Sequence, residues 1–79
     1  MQNLHKVSKV DEHVGHRIQI RREGRRLTIA TLAAAVELSE QQMADAEYGQ
    51  IRLSASKIYT LSKLLDVPVA FFFAGYAAG

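Results

Sequence analysis

Cysteine and tryptophan are absent from this chain of 79 residues, and proline occurs once. Without cysteine there is no disulfide staple and no thiolate metal site. The first ten residues, MQNLHKVSKV, lack the apolar stretch of a signal peptide. The longest apolar run, from Val67 to Gly75, is about nine residues, far short of the ~20 that a membrane span needs. These absences lead to one expectation: a single small cytoplasmic domain, away from any membrane, efficiently packed from helices and able to oligomerise. Disorder is excluded by a hydrophobic share of 48% beside a net charge of only +2.

A further absence is local. From Leu27 to Ile51 there is no lysine or arginine. Seven of the ten cations lie between Lys6 and Arg26, and Arg52, Lys57 and Lys63 follow the gap. The acids Glu37, Glu40, Asp45 and Glu47 fall inside it. A uniformly basic nucleic-acid face is therefore missing.

What is present reads as five short helices. Residues 1–10 are expected to form a flexible N-terminal arm, 11–75 the folded domain and 76–79 a short tail. A first helix from Asp11 would bury Val14 and Ile18, with Ile20 beside them. Acids in its first turn and Arg21 and Arg22 in its last complement the helix dipole, and Gly24 marks its end. Thr28 caps a second, alanine-rich helix running to Val36. Ser39 caps a third that Gly49 stops, with Met43 and Ala46 facing inward. Ser54 caps a fourth with the stripe Ile58, Leu61, Leu64 and Leu65. Pro68 suits the start of a fifth, Val69 to Phe73. No stretch alternates with period two, so the fold class is all-α.

Only a few residues around Glu37 and Leu38 separate the second and third helices. So tight a turn makes the helices cross steeply over a small residue, here Ala33. One side of the third helix, with Glu40, Gln41, Gln42 and Asp45, then faces outward. This is helix-turn-helix spacing. Together with "VGHRIQIRR", "LTIATLAAAVELS", "SEQQMADAEYG" and "IRLSASKIYTLSKLLDVPVAFFFAG", it resembles the lambda-repressor-like (Xre/Cro) helix-turn-helix regulators of bacteria and phages over about residues 13–75. The Val-Pro-Val…Phe-Phe-Phe ending looks especially like one bacterial branch, in which a further variable segment often follows.

The resemblance implies a transcriptional regulator, a repressor by preference, whose third helix reads double-stranded DNA in the major groove. By position, Glu40, Gln41, Gln42 and Asp45 become the base-reading residues. A glutamine amide matches the adenine edge in donor and acceptor. Phosphate contacts are expected at the edges of the motif: Arg25, Arg26 and Thr28 on one side, Gln50, Arg52, Ser56 and Lys57 on the other. Backbone N–H groups at the starts of the second and fourth helices add to them. Glu47 stands where related repressors have a glutamate paired with an arginine of the first helix, which aligns with Arg22. That pair is assigned to structure, because an unpaired carboxylate at this depth would repel phosphate. The sequence also departs from the family pattern. Ile29 replaces a phosphate-contacting glutamine, Glu37 stands at a turn position that is usually glycine, and Ala46 replaces a larger core residue.

Four aromatics crowd the end of the chain. Phe72 and Phe73 are expected to close the core with Val69, leaving Phe71 and Tyr76 as a homodimer contact. His13 and His16, with Glu12 nearby, have the spacing of metal ligands, but solvated surface histidines are the commoner case and no metal is expected. No nucleophile motif, carboxylate pair or glycine-rich phosphate loop appears, so neither an enzyme, a cofactor nor a small-molecule site is expected. One rival remains open: a protein-interaction module, of antitoxin or anti-repressor type, using the acidic helix and the exposed aromatics.

Overall fold

The computed structural model describes residues 8–76. The expected tail 77–79 and most of the expected arm, residues 1–7, lie outside the described residues. Five helices follow one another: α1 (Lys9–Gly24), α2 (Ile29–Ala35), α3 (Glu40–Glu47), α4 (Ala55–Leu65) and α5 (Ala70–Phe73). No strand occurs among the described residues.

The first helix begins two residues earlier than the sequence suggested. Asp11 reaches back to Ser8, accepting from its N–H at 2.8 Å and from its hydroxyl at 3.1 Å. That bracing extends the helix over Lys9 and Val10, which therefore do not belong to an arm. Its end also moves, because Gly24 is still helical. The left-handed residue is Arg26, with φ of 58°, and the Leu27 N–H then returns to the Arg22 carbonyl at 3.0 Å.

The same turn closes three further helices. Glu37, Gly49 and Asp66 adopt φ of 60°, 75° and 57°. Leu38, Gln50 and Val67 donate back to Ala33, Asp45 and Ser62 at 2.9, 2.8 and 3.0 Å. This is the Schellman arrangement, which satisfies the last carbonyls of a helix. Glycine supplies the left-handed residue in only one of the four turns.

The starts of α2, α3 and α4 follow local chemistry as expected. Thr28, Ser39 and Ser54 accept from the N–H groups of Thr31, Gln42 and Lys57 at 3.1, 3.0 and 3.3 Å. Around the core, Val14, Ile18, Leu32, Ala33, Val36, Met43, Ala46, Leu53, Leu61, Leu65 and Phe72 are buried. Ile20 is turned outward. The crossing of α1 and α3 depends on Gly15, since a Cβ there would collide with the backbone carbonyls of Ala46 and Glu47.

The aromatic end corrects the expected order. Phe72 is fully buried, but Phe73 is 42% exposed and does not close the core. Phe71 is half-buried instead, with the Arg17 guanidinium 4.0 Å above its ring. The α5 turn points one ring inward, and Arg17 covers its neighbour. Phe73 therefore takes the exposed place expected for Phe71.

Candidate nucleic-acid interface

The turn between α2 and α3 comprises residues 36–39. The buried Ala33 lets the two helices approach, while Val36 and Met43 fill the angle. Glu40, Gln41 and Gln42 are exposed and Asp45 is half-buried. The outward face expected of α3 is thus present. No cation lies on it, and the carboxylates of Glu40 and Asp45 make it locally acidic.

The polar side chains on this face are already ordered among themselves. Gln41 donates from Nε2 to Asp45 Oδ1 at 2.9 Å. Gln42 accepts at Oε1 from the Ser39 N–H at 3.0 Å, completing a reciprocal capping box with the Ser39 hydroxyl. The Ser-x-x-Gln spacing carries that signal, which the sequence reading passed over in treating Gln42 only as a base reader.

Glu47 occupies the opposite side of α3, with its side chain 1% exposed. Arg22 approaches it with both Nε and Nη2, at 2.6 and 3.0 Å, and turns Nη1 to the Leu27 carbonyl at 3.0 Å. The hydrogen bonds to Glu47 and its charge raise the guanidinium pKa above its ordinary value. The structural pair expected from the sequence is therefore present, and it holds α1, α3 and the start of α2 together.

The flanking residues divide into several groups. Thr28, Arg26, Gln50 and Ser56 are exposed beside the motif, and Arg26 makes no side-chain bond among the described residues. Lys57 donates to the Val36 carbonyl at 2.6 Å, closing α2 from the side of a polar hollow lined by Glu37, Ser56 and Thr60. Arg52 is joined to Asp11 through Nε at 3.1 Å. Burial by itself would raise the Asp11 pKa, but the Arg52 and Ser8 hydrogen bonds and the Arg52 charge outweigh it and hold that carboxyl below its ordinary value. Arg52 is thus engaged in fastening α1 to the loop before α4.

Arg25 meets a different element. It lies against Leu65 and Asp66, at 3.4 Å from the carbonyl of one and 3.8 Å from the carboxylate of the other. Those residues close α4, whereas Ser56 and Lys57 begin it, so Arg25 sits at the other end of α4 from them. It belongs to a row the sequence did not reveal. His13, Arg17 and Arg21 meet the carbonyls of Ala74, Phe71 and Leu65 at 2.7, 3.0 and 2.8 Å. With Arg25 they stand four residues apart along one face of α1, satisfying carbonyls at the ends of α4 and α5. Tyr76 tilts against His13, with ring centroids 5.6 Å apart. Among the described residues no group of three His, Cys, Asp or Glu side chains is placed to hold a metal.

An apolar groove of about 270 Å³ lies between α1 and α4, lined by Val14, Ile51, Leu53, Ile58 and Phe73 among others. No sequence feature announced it.

A transcriptional regulator encoded in the ATPase CF(0) region of Rhodospirillum rubrum is 40% identical over 73 residues, 92% of this chain and 68% of that one. The chain belongs to the helix-turn-helix transcriptional regulators. A helix-turn-helix regulator of Sinorhizobium medicae is 36% identical over 73 residues, and the chain spans 52% of its length. No family model matches. Among solved structures, the restriction-modification controller protein C.AhdI from Aeromonas hydrophila superposes with a TM-score of 0.75 at 26% identity, over 84% of the regulator and all of C.AhdI. The P22 c2 repressor, in complex with a synthetic operator, superposes with a TM-score of 0.70 at 24% identity over 80% of the regulator and 96% of the repressor. That likeness is one of fold. No described helix of the regulator is long and apolar enough to cross a membrane.

Proposed function

We propose that the regulator binds specific double-stranded DNA in the cytoplasm as a two-fold dimer and represses transcription, without a cofactor. The observation that carries this is the outward face of α3, with Glu40, Gln41, Gln42 and Asp45 accessible between the starts of α2 and α4. A major groove admits such a helix, and phosphates on either side then meet the flanks. Those phosphates would meet Thr28, Arg26, Gln50 and Ser56, which are exposed there. Lys57 and Arg52 join them only by sharing or leaving their present partners. The exposed Phe73 and Tyr76 support a dimer contact on the α5 side. Two-fold symmetry would present two copies of α3 to half-sites about 34 Å apart.

Selection of duplexes from random sequence at moderate salt tests this proposal. A palindromic operator should emerge, and the logarithm of its affinity should fall with the logarithm of salt by about 0.9 per phosphate contact. Retention that is indifferent to both sequence and salt would point to the protein-interaction module instead.

A further inference from the structure

Gln41 and Gln42 are neighbours of the same type, yet the fold ties down opposite ends of their amides. An ionised carboxylate can only accept, so the end of Gln41 that meets Asp45 at 2.9 Å must be its NH₂. A backbone N–H can only donate, so the end of Gln42 that meets Ser39 at 3.0 Å must be its carbonyl. Chemistry fixes both orientations. Gln41 is left with a free acceptor, Oε1, and one remaining hydrogen on Nε2. Gln42 is left with a free NH₂, which makes no hydrogen bond among the described residues.

The centre of every base pair in the major groove shows one exocyclic amino group and one keto oxygen, on opposite strands. An amide free to flip accepts either. A pinned amide does not.

We propose that Asp45 is a positioning residue rather than a base reader. It holds Gln41 so that Oε1 selects the amino-bearing base of one strand, with adenine preferred because its N7 takes the remaining Nε2 hydrogen. The capping box, in turn, makes Gln42 a reader of keto bases, guanine or thymine. This rests on the placement of α3 in the major groove proposed above. Flipping Gln41 would set its oxygen against the Asp45 carboxylate, and flipping Gln42 would set its NH₂ against the Ser39 N–H. Both penalties grow as the groove excludes water. A chain with two unpinned glutamines would accept either strand orientation at both positions.

The test uses the full chain and the operator obtained by selection. Purine, which lacks the 6-amino group, replaces each operator adenine in turn, and one such replacement should weaken binding roughly 5- to 150-fold. Asp45→Asn can both donate to and accept from Gln41. It should collapse the amino-over-keto ratio at that position toward unity, which the loss of a negative charge alone would not do. Gln42→Glu keeps the oxygen that caps Ser39 but loses the NH₂, so the keto preference at its position should vanish with the melting temperature unchanged. A purely structural role for Asp45 or Gln42 would leave those ratios alone. Salt-sensitive binding whose base preferences survive both substitutions overturns this inference and leaves the proposed function standing. Absence of sequence-selective binding in the unaltered protein overturns both.

Discussion

Arg22 near the end of α1 and Glu47 at the end of α3 share two hydrogen bonds of 2.6 and 3.0 Å, and the carboxylate is almost fully shielded from water. Removing one partner strands the other charge, which costs about 3–5 kcal/mol in such settings. Arg22→Ala should therefore lower the urea midpoint by more than any surface arginine does. Arg22→Met combined with Glu47→Leu should recover most of the loss, since no buried charge remains. Equal midpoints for the single and double variants would show that the pair contributes packing rather than charge compensation.

Asp11 connects stability to pH. Its carboxyl is held below the ordinary value of 3.8, so as pH falls the unfolded chain takes up the proton first. The contribution of this group is complete above the ordinary value and is lost as pH drops through the depressed folded one. Asp11→Asn should be less stable at neutral pH and should show a shallower loss between about pH 5 and pH 2. Denaturant titrations at several pH values measure this. Parallel curves for the two proteins would assign the acid sensitivity elsewhere.

Glu37 sits at φ of 60° in the turn of the motif, where a Cβ is disfavoured by about 1 kcal/mol. Its side chain is exposed and accepts no hydrogen bond among the described residues. Glu37→Gly should stabilise the fold by up to that amount and raise DNA affinity by removing a carboxylate. A lower melting temperature would mean that the glutamate supports the turn.

Arg25 and Arg26 are adjacent in sequence and should differ in effect. Arg26→Ala should weaken binding to all duplexes alike and reduce the salt slope by about one. Arg25→Ala should leave the slope intact, because Arg25 lies at the end of α4 away from the motif. Fluorescence anisotropy across a salt series separates the two, and equal slopes would show that Arg26 meets no phosphate.

The aromatic end shows where pattern reading stops. Four aromatics crowd the end of the chain, and Phe72 and Phe73 were expected inside, whereas only Phe72 is buried. Which one is buried depends on how α5 lies against α1 and on Arg17 reaching Phe71 from 54 positions away. Gly15 was equally silent. A glycine inside a helix looks like a local weakness until α3 passes directly over it.

Helix number, the starts of α2, α3 and α4 and the tight turn after α2 were determined by the sequence alone, because caps and apolar spacing act over three or four residues. Tertiary structure decided which polar groups remain available to a ligand. Arg52 finds Asp11 across 41 positions and Arg21 finds Leu65 across 44. Such partners leave no periodic trace in the chain, so only the packed arrangement of helices separates a cation free to meet phosphate from one already engaged.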